Sequence, residues 1–473
     1  MANIKEHIII GDMQYKKNEE LEIFIEDMGN EGEGIGKVCG YTFFVKDAVT
    51  GDRIKAKIIK LKKNYGYARL MQIIEPSKWR TEPVCPVARQ CGGCQIQHLS
   101  YDMQLEWKRK KVENCIKRIG GFNDIEVEPV IGMSEPYYYR NKAQFPIGYD
   151  KKGKLVAGFY AGRTHNIIPY TECCIQHKCN SVILNVILKF MNEYNISAYD
   201  EVKHSGIVRH VIIRVGKATS EVMVCIVVNG TKLEHSTKLV DMLLKADIGE
   251  ENIKSICLNC NTEKTNVILG DKINVLYGQP YITDCIDGIE YRISPLSFYQ
   301  VNPIQTEKLY KLVLEMADLK GDEVVWDMYC GIGTISLFLA RQAKMVYGVE
   351  IVPNAVKDAI INAKINKIEN VEFFEGAAED VVPSEYKKSG GRLKADIVTL
   401  DPPRKGCDEK LLDTVVNMGA EKIVYVSCDP ATLARDLRYL GDRGYEVKRV
   451  KPCDMFGQSY HVEVVTCLHR VDS

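Results

Sequence analysis

The sequence predicts an α/β protein in three parts: a small N-terminal β-barrel, a central domain of mixed helices and strands, and a C-terminal doubly wound sheet. Two observations carry most of this prediction. Short alternating strands separated by glycine turns fill residues 12–75, and apolar strands alternate with helices over residues 286–473. The predicted domains are therefore 12–75, 76–285 and 286–473, with a helix over 100–120 that could pack on the C-terminal domain.

The overall composition is that of an ordinary globular protein. The chain has 473 residues, of which 45% are hydrophobic and 27% charged, and its net charge is zero. No apolar stretch reaches the roughly 20 residues that span a bilayer. The first residues lack the apolar core of a signal peptide. We therefore expect a cytoplasmic protein, and a monomer without an obligate protein partner.

The predicted barrel begins with the alternating strand 20–25, continues through a glycine-rich turn at 27–34, and is followed by three more short strands. Residues 53–80 contain nine Lys or Arg and one acidic residue, Glu75. Such a basic stripe can form an RNA-binding face, although a solvated surface without a partner has the same composition. The region resembles the TRAM domain, an OB-like RNA-binding module.

A cysteine cluster opens the central domain. The chain has 17 cysteines, too many to form a disulfide framework in a cytosolic protein, so metal binding or catalysis is expected of some of them. Gly92 and Gly93 permit a tight turn that lets the thiolates of Cys91 and Cys94, on either side of them, converge on one centre. Thiolates suit zinc or an iron–sulfur cluster, and spacing alone favours zinc, the commoner structural metal. The pattern Cys-x5-Cys-Gly-Gly-Cys is formed by Cys85, Cys91 and Cys94, and the candidates for a fourth ligand are Cys173, Cys174, Cys179 and His177.

A glycine turn follows the first strand of the C-terminal domain. It reads Asp327-x-x-Cys-Gly331-x-Gly333 and precedes an apolar helix, so the backbone can approach a ligand closely. Glu350 ends the next strand, where an acid typically binds ribose hydroxyls. The third glycine of a dinucleotide fingerprint is missing, which favours S-adenosylmethionine (SAM) over NAD. A purely structural strand-turn-helix is the alternative.

Two further strand ends carry candidate catalytic groups. The prolines of Asp401-Pro402-Pro403 fix a loop so that the acid points into the site, an arrangement typical of methyltransferases that act on nucleobases. Cys428 ends the next strand, where open α/β sheets place their chemistry. As a nucleophile it needs a lowered pKa, which we expect the following helix N-terminus to provide. Cys330 and Cys407 are rival nucleophiles, and a buried core cysteine is the alternative for Cys428.

Taken together, the motifs resemble the RNA uridine-5-methyltransferase family over nearly the whole chain. The matching segments are 297–302, 327–331, 401–406, 427–430 and 461–463. The resemblance implies a class I SAM-dependent methyltransferase fold. It implies that Cys428 attacks carbon 6 of a flipped uracil and that Glu463 removes the proton from carbon 5. The SAM-binding residues that it implies are Gln300, Tyr329, Glu350 and Asp401.

The resemblance also extends to the cysteines and to the substrate. It implies a 4Fe–4S cluster held by Cys85, Cys91, Cys94 and Cys173, with Cys174 still open as the fourth ligand and no redox role expected for the cluster. The TRAM domain together with the cluster points to the branch that methylates 23S ribosomal RNA. The alternatives are a tRNA uridine-5-methyltransferase, a non-catalytic ribosomal RNA-binding assembly factor and a radical-SAM methylthiotransferase.

Overall fold

The computed structural model describes residues 7–10, 13–162, 164–389 and 394–471. Residues 1–6, on which the expectation of no signal peptide depends, lie outside this description. The chain forms two compact units, one of residues 1–111 with 456–461 and the other of residues 112–455 with 462–473. The three domain boundaries expected from the sequence stay predictions.

The first unit contains the closed barrel expected at the N-terminus. Strand order around the barrel is β3-β4-β5-β7-β6, closed by antiparallel pairing of β3 with β6. Alternate residues such as Ile23, Phe43 and Ile54 fill its interior, which is the period of two that the sequence shows. The elements are β1 (His7–Ile10), β2 (Met13–Lys16), β3 (Glu20–Met28), β4 (Gly34–Val38), β5 (Tyr41–Lys46), β6 (Arg53–Leu61), β7 (Tyr65–Glu75) and α1 (Tyr101–Arg118).

Part of the basic stripe on the barrel is paired with acids. Lys55 lies 2.9 Å from Glu20, and Arg53 contacts both Glu22 and Glu75 at 3.4 and 3.3 Å. Other cations of the stripe, Lys60, Lys63 and Arg69, form no ion pair within the described part of the chain. The positive face is therefore smaller than the sequence count suggests.

The second unit begins with a seven-stranded sheet of order β10-β9-β8-β11-β12-β13-β14, followed by a two-stranded hairpin. Helices α2 and α3 pack on the sheet through a core that includes Ile187, Phe190 and Leu239. The elements are β8 (Lys142–Tyr149), β9 (Leu155–Tyr160), β10 (Ile167–Pro169), α2 (Cys179–Glu193), β11 (Val208–Val215), β12 (Glu221–Val228), α3 (Ser236–Leu244), β13 (Asn252–Cys260), β14 (Lys272–Gly278), β15 (Ile282–Ile286) and β16 (Ile289–Ile293).

The C-terminal part of this unit is the alternating α/β sheet expected from the sequence. Its strand order is β19-β18-β17-β20-β21-β23-β22, parallel except that β23 is antiparallel to both of its neighbours. Strands β18 and β19 lie on one side of β17, and β20 and β21 lie on its other side. A crevice therefore opens at the carboxyl ends of β17 and β20. The elements are α4 (Pro303–Ala317), β17 (Val324–Asp327), α5 (Thr334–Ala340), β18 (Met345–Glu350), α6 (Pro353–Ile365), β19 (Val371–Glu375), α7 (Ala378–Lys388), β20 (Ile397–Leu400), α8 (Glu409–Met418), β21 (Lys422–Ser427), α9 (Pro430–Gly441), β22 (Tyr445–Cys453) and β23 (Glu463–Arg470).

The core of this sheet is apolar on both faces, as expected for strands covered by helices. Trp326, Tyr425 and Leu437 are fully buried in it. The end of α1, from Val112 to Ile116, also contributes to this core. The strand ends are thereby held in fixed positions, and the candidate site residues follow directly from them.

Candidate active site

Strand register brings Cys428 and Glu463 together. The last paired residues of β21 and β23 are Ser427 and Val464, so the next residue on each strand is Cys428 and Glu463. Residues at such opposed positions lie about 5 Å apart. The Cys428 side chain is half-buried and that of Glu463 is buried. The partly exposed thiol of Cys428 thus lies beside the buried carboxyl group of Glu463.

Burial and mutual repulsion raise the pKa of three neighbouring carboxyl groups. Burial, with the charge of Asp401, raises the pKa of Glu463 to about 8, and Arg404 opposes this shift. Burial and Asp327 together raise the pKa of Asp401 to about 7. The pKa of Asp327 rises to about 6, mainly through burial, although Ser336 donates a hydrogen bond of 2.6 Å to it. Near neutral pH the site therefore holds carboxyl groups that can accept or release a proton.

The pKa of Cys428 is raised, contrary to the lowered value expected from the sequence. Burial raises it to about 12, and the charges of Glu463 and Asp401 add to the effect, while Arg404 favours the thiolate. The helix N-terminus does not offset this because Asp429 caps α9, accepting hydrogen bonds from the N–H groups of Ala431 and Thr432 at 2.9 and 3.1 Å. The expectation that the helix N-terminus lowers the pKa of Cys428 was wrong.

The two rival cysteines are more deeply buried. Cys330 is 3% exposed and Cys407 is 6% exposed. The Cys407 sulfur lies 3.4 Å from the Tyr425 hydroxyl, and burial raises its pKa to about 12. Burial also raises the pKa of Cys330 well above its ordinary value. Neither is as accessible to a substrate as Cys428.

Asp436 anchors the loop that carries Asp401 and Arg404. This carboxylate of α9 is 1% exposed and accepts hydrogen bonds from the Cys407 N–H at 2.9 Å and the Tyr425 hydroxyl at 2.6 Å. The Thr432 hydroxyl donates to the carbonyl of Arg404 at 3.2 Å. The loop after β20 is thus attached to the helix that follows Cys428, which fixes the distance between the two strand ends.

The glycine turn after β17 leaves room for a ligand. Gly331 has φ of +55° and nothing lies within 4 Å of the place that a Cβ would occupy. The Gly331 N–H donates to the Glu350 carboxylate at 3.1 Å, which holds this acid at the edge of the turn. Gly348 is needed for packing instead, since a Cβ there would lie 2.6 Å from the Phe373 ring. The space and the acid fit the ribose of a nucleoside cofactor.

Two of the other expected cofactor residues differ in their surroundings. Gln300 is 8% exposed, and its side-chain amide has no hydrogen-bond partner in the described part of the chain. Tyr329 is half-buried, packs against the sheet core and lies beside Cys407, and its pKa is raised mainly by burial. Gln300 therefore has a free polar group to offer a cofactor. The Tyr329 hydroxyl is directed to Cys407, which leaves its ring for contact with a ligand.

Sequence reasoning assigned no role to three residues of this site. Arg404 acts on both Cys428 and Glu463, Asp436 fixes the loop, and Tyr310 is a buried neighbour of the acidic groups whose hydroxyl donates to Thr334 at 2.9 Å. Arg404 was visible as the cation directly after Asp401-Pro402-Pro403. The other two lie on helices, where one buried polar residue carries no distinctive local pattern.

The cysteines expected as metal ligands are divided between the two units. Cys85, Cys91 and Cys94 belong to the first unit and Cys173 to the second. The Gly93 N–H donates to the Cys91 sulfur at 3.4 Å, and burial together with the nearby Cys85 raises the pKa of Cys91. Across residues 7–10, 13–162, 164–389 and 394–471, no group of three or more His, Cys, Asp or Glu side chains could hold a metal ion. The donor atoms have the right chemistry, but the described geometry does not by itself form a metal site.

Fold and site together define an α/β enzyme with a nucleoside-type cofactor crevice and a cysteine flanked by acids. Comparison with known families gives the particular assignment. The family model described as tRNA (Uracil-5-)-methyltransferase matches residues 100–471, and the TRAM domain model matches residues 14–71. The chain belongs to the tRNA (uracil-5-)-methyltransferase family and carries an N-terminal TRAM domain.

Relatives and a solved structure agree with this assignment. The chain is 51% identical to an uncharacterized RNA methyltransferase of Halalkalibacterium halodurans, over 96% of this chain and 97% of that protein. An uncharacterized RNA methyltransferase of Clostridium tetani is 49% identical, over 96% of this chain and 97% of that protein. The crystal structure of Pyrococcus abyssi tRNA (uracil-54, C5)-methyltransferase in complex with S-adenosyl-L-homocysteine is similar with a TM-score of 0.75 and 29% identity, covering 94% of this chain and 99% of that chain.

Proposed function

We propose that the protein methylates carbon 5 of one or more uridines in 23S ribosomal RNA, using SAM. The observation that carries this proposal is that Cys428, directly after β21, lies beside Glu463, the first residue of β23, whose charge acts on the thiol. Carbon 5 of uracil is a poor nucleophile, and it becomes electron-rich only when a thiolate adds to carbon 6. A cysteine with a carboxyl group next to it is the pair that this chemistry needs.

The proposed roles of the chain's residues follow the order of bond changes. The Cys428 thiolate adds to carbon 6 of a uracil flipped out of its stack, and Arg404 stabilises the thiolate. SAM, when bound, supplies the methyl group. Glu463 then takes the proton from carbon 5, the carbon 6–sulfur bond breaks, and the ring double bond re-forms with Cys428 released. A base whose pKa is about 8 suits proton removal near neutral pH.

Four residues are proposed to hold SAM in the crevice. The free amide of Gln300 and the open space at Gly331 support such a binding site. Further support comes from the S-adenosyl-L-homocysteine bound in the similar Pyrococcus abyssi enzyme. The strand order of the sheet is consistent with a class I methyltransferase. The proposed contacts are Gln300, Tyr329, Glu350 and Asp401.

The choice of 23S ribosomal RNA depends on the TRAM domain and the cysteine motif. The family resemblance associates this combination with the ribosomal RNA branch. A transfer RNA substrate is the second candidate, and the similarity to an enzyme named for uridine 54 of tRNA favours it. A non-catalytic assembly factor would have no use for Cys428 next to Glu463.

We also propose that Cys85, Cys91, Cys94 and Cys173 hold a 4Fe–4S cluster. Four thiolates are the usual ligand set of such a cluster, and the amide hydrogen bond to Cys91 is of the kind that stabilises a thiolate. Iron and sulfide content and visible absorption of anaerobically purified protein would test this. Zinc in place of iron would show that the site is a structural zinc site, and Cys173→Ala compared with Cys174→Ala would identify the fourth ligand.

The cellular setting is part of the proposal. We propose a monomer that acts in the cytoplasm, where ribosomal RNA is made in bacteria. Within the described residues, no helix is long and apolar enough to cross a membrane.

The decisive experiment is methylation of unmodified 23S ribosomal RNA and of tRNA by the anaerobically purified protein, with the product nucleoside mapped by mass spectrometry. We expect 5-methyluridine in 23S ribosomal RNA, lost in Cys428→Ala and kept in Cys39→Ala, which changes an exposed cysteine of the barrel. Methylation of tRNA alone would overturn the substrate assignment and leave the chemistry intact. No product in either RNA, and no adduct of Cys428 with RNA that contains 5-fluorouridine, would overturn the proposed reaction.

A further inference from the structure

Three cations are grouped in the second unit away from the acidic site. Lys142 on β8 and Arg214 on β11 are directly paired in the antiparallel register of these strands, and Arg140 precedes Lys142 by two residues. Their charges interact, because Arg214 and Arg140 both lower the pKa of Lys142. The three residues form what we call the basic triad.

The basic triad has no opposing carboxylate. None of its members forms an ion pair with an acid within the described part of the chain. The nearby ionisable group that acts on both Lys142 and Arg214 is the thiol of Cys225, which is buried. Burial and the two arginines bring the pKa of Lys142 down to about 7. Grouped cations without a counter-charge are costly, so an anion that enters the triad gains binding energy.

The guanidinium groups still have donors to offer. Arg214 is 2% exposed, and one of its terminal nitrogens donates to the Ser297 carbonyl, but its Nε has no hydrogen-bond partner. The Nε of Arg140 is also buried without a partner. Lys142 is half-buried, and its ammonium makes no hydrogen bond within the described residues. A buried donor without a protein partner calls for a water, an ion or a ligand group to accept its hydrogen bond.

The triad lies next to the segment that leads into the candidate active site. Asn141, between Arg140 and Lys142, donates through its side chain to the Gln300 carbonyl at 3.0 Å and through its backbone to the Val301 carbonyl at 2.9 Å. Arg214 contacts Ser297 at the start of the same segment. Hydrogen bonds from Asn141 and Arg214 therefore connect the triad to the short segment 297–301, which carries the proposed cofactor residue Gln300.

We propose that Arg140, Lys142 and Arg214 bind a phosphodiester group of the RNA whose uridine enters the active site. This inference rests on the proposed function, since it assumes an RNA substrate. Guanidinium groups bind phosphate oxygens in a bidentate manner, and an ammonium adds a point charge. The carboxylate of SAM would be the alternative anion, but a single carboxylate does not need three cations.

The test compares Arg140→Gln and Lys142→Met with Lys189→Gln, which removes an exposed cation from α2 in the same unit. The probes are a fluorescent oligouridylate of about 12 nucleotides and S-adenosyl-L-homocysteine. We expect each triad variant to weaken oligouridylate binding by about tenfold, and to reduce the slope of log affinity against log salt by about 0.7 for one lost phosphate contact. Affinity for S-adenosyl-L-homocysteine is expected to stay unchanged, and Lys189→Gln to behave as the wild type.

Thermal unfolding separates a binding role from a structural one. At pH 6, below the Lys142 pKa of about 7, the ammonium is charged and repelled by the two arginines, so we expect Lys142→Met to melt at a higher temperature than the wild type in buffer without phosphate. Inorganic phosphate should raise the melting temperature of the wild type more than that of Lys142→Met. A lower melting temperature for Lys142→Met, without a phosphate-dependent difference, would assign the triad a structural role and overturn the proposal.

The remaining outcomes are also decisive. Unchanged oligouridylate binding in both variants would overturn the proposal, and so would a loss confined to S-adenosyl-L-homocysteine, which would assign the triad to the cofactor carboxylate. If the wild type methylates neither RNA while oligouridylate binding depends on the triad, the phosphate site stands and the proposed function fails. If the wild type methylates RNA while binding does not depend on the triad, the phosphate site fails and the proposed function stands.

Discussion

The charge of Glu463 should suppress ionisation of the Cys428 thiol, and Glu463→Gln measures this directly. Strand register places the two side chains about 5 Å apart. With an effective dielectric constant of about 20, two negative charges at that distance repel by about 3 kcal/mol. Each 1.4 kcal/mol corresponds to about a tenfold change in an equilibrium constant. Removing the carboxylate should therefore raise the thiolate population by about a hundredfold.

The assay is the rate at which iodoacetamide alkylates Cys428, measured by mass spectrometry on the tryptic peptide 423–435, in which Cys428 is the single cysteine. The pKa of Glu463 is about 8, so the wild-type carboxyl is protonated and uncharged in acid. We expect equal rates for Glu463→Gln and wild type near pH 6.5, and at least tenfold faster alkylation of Glu463→Gln near pH 9.5. Methylation should be lost in the same variant because the base is absent.

A constant ratio of alkylation rates across this pH range would refute the reasoning, since only an ionised neighbour can produce a pH-dependent difference. Slower alkylation of Glu463→Gln would show that the carboxylate assists the thiol instead of repelling it. The Cys428→Ala variant cannot be alkylated in this peptide, so it confirms that the measured signal comes from Cys428. Unchanged methylation in Glu463→Gln would remove Glu463 from the proposed mechanism.

Three further predictions follow from the same site. Because the proposed reaction needs both the Glu463 carboxylate and the Cys428 thiolate, with pKa values of about 8 and about 12, methylation under kcat/KM conditions should rise by more than tenfold per pH unit below pH 8 and less steeply above it. A flat profile from pH 6 to pH 8 would exclude this carboxylate as the base. Asp436→Asn weakens the hydrogen bonds that anchor the loop after β20, so it should cost about 1–3 kcal/mol of stability and most of the activity. Urea unfolding measures the stability and the methylation assay measures the activity. Normal activity in a folded variant would show that the loop is held elsewhere. Gly348→Ala would place a Cβ 2.6 Å from the Phe373 ring, so it should lower the free energy of unfolding by about 1–3 kcal/mol, as measured by thermal or urea unfolding. Stability equal to the wild type would mean that Phe373 moves aside freely.

Local patterns were sufficient to predict the barrel and the alternating sheet. Residues of the barrel strands alternate between core and solvent, whereas β17, β20 and β21 are mostly apolar and almost entirely buried, so periodicity distinguishes a half-exposed strand from a covered one. The central sheet was predicted only as mixed structure. Nearly all residues of its strands β11 and β12 are buried, including the polar residues Arg209, His210 and Arg214 of β11. Polar residues in a buried strand interrupt the apolar run by which such a strand is recognised in a sequence.

The position of Cys428 could be predicted because it directly follows a buried parallel strand. Strand ends of one sheet meet at its edge, so Cys428, Asp401 and Asp327 were expected to be neighbours. The pairing of Cys428 with Glu463 additionally required the antiparallel insertion of β23 beside β21. That arrangement involves residues far apart in sequence, and a strand pattern alone does not show which neighbour it will choose.

The error over the Cys428 pKa has a physical cause that bears on the mechanism. A helix N-terminus favours a thiolate only if its N–H groups are free to face the sulfur, and Asp429 occupies two of them. The acids that the chemistry needs then raise the pKa of the thiol to about 12. Bound ligands must reverse this balance, and SAM, if Asp401 holds it as proposed, would bring a positively charged sulfonium, a charge of the right sign. We therefore expect S-adenosyl-L-homocysteine, which lacks that charge, to accelerate Cys428 alkylation less than SAM does. Equal effects of the two compounds would show that the cofactor's charge does not activate the thiol.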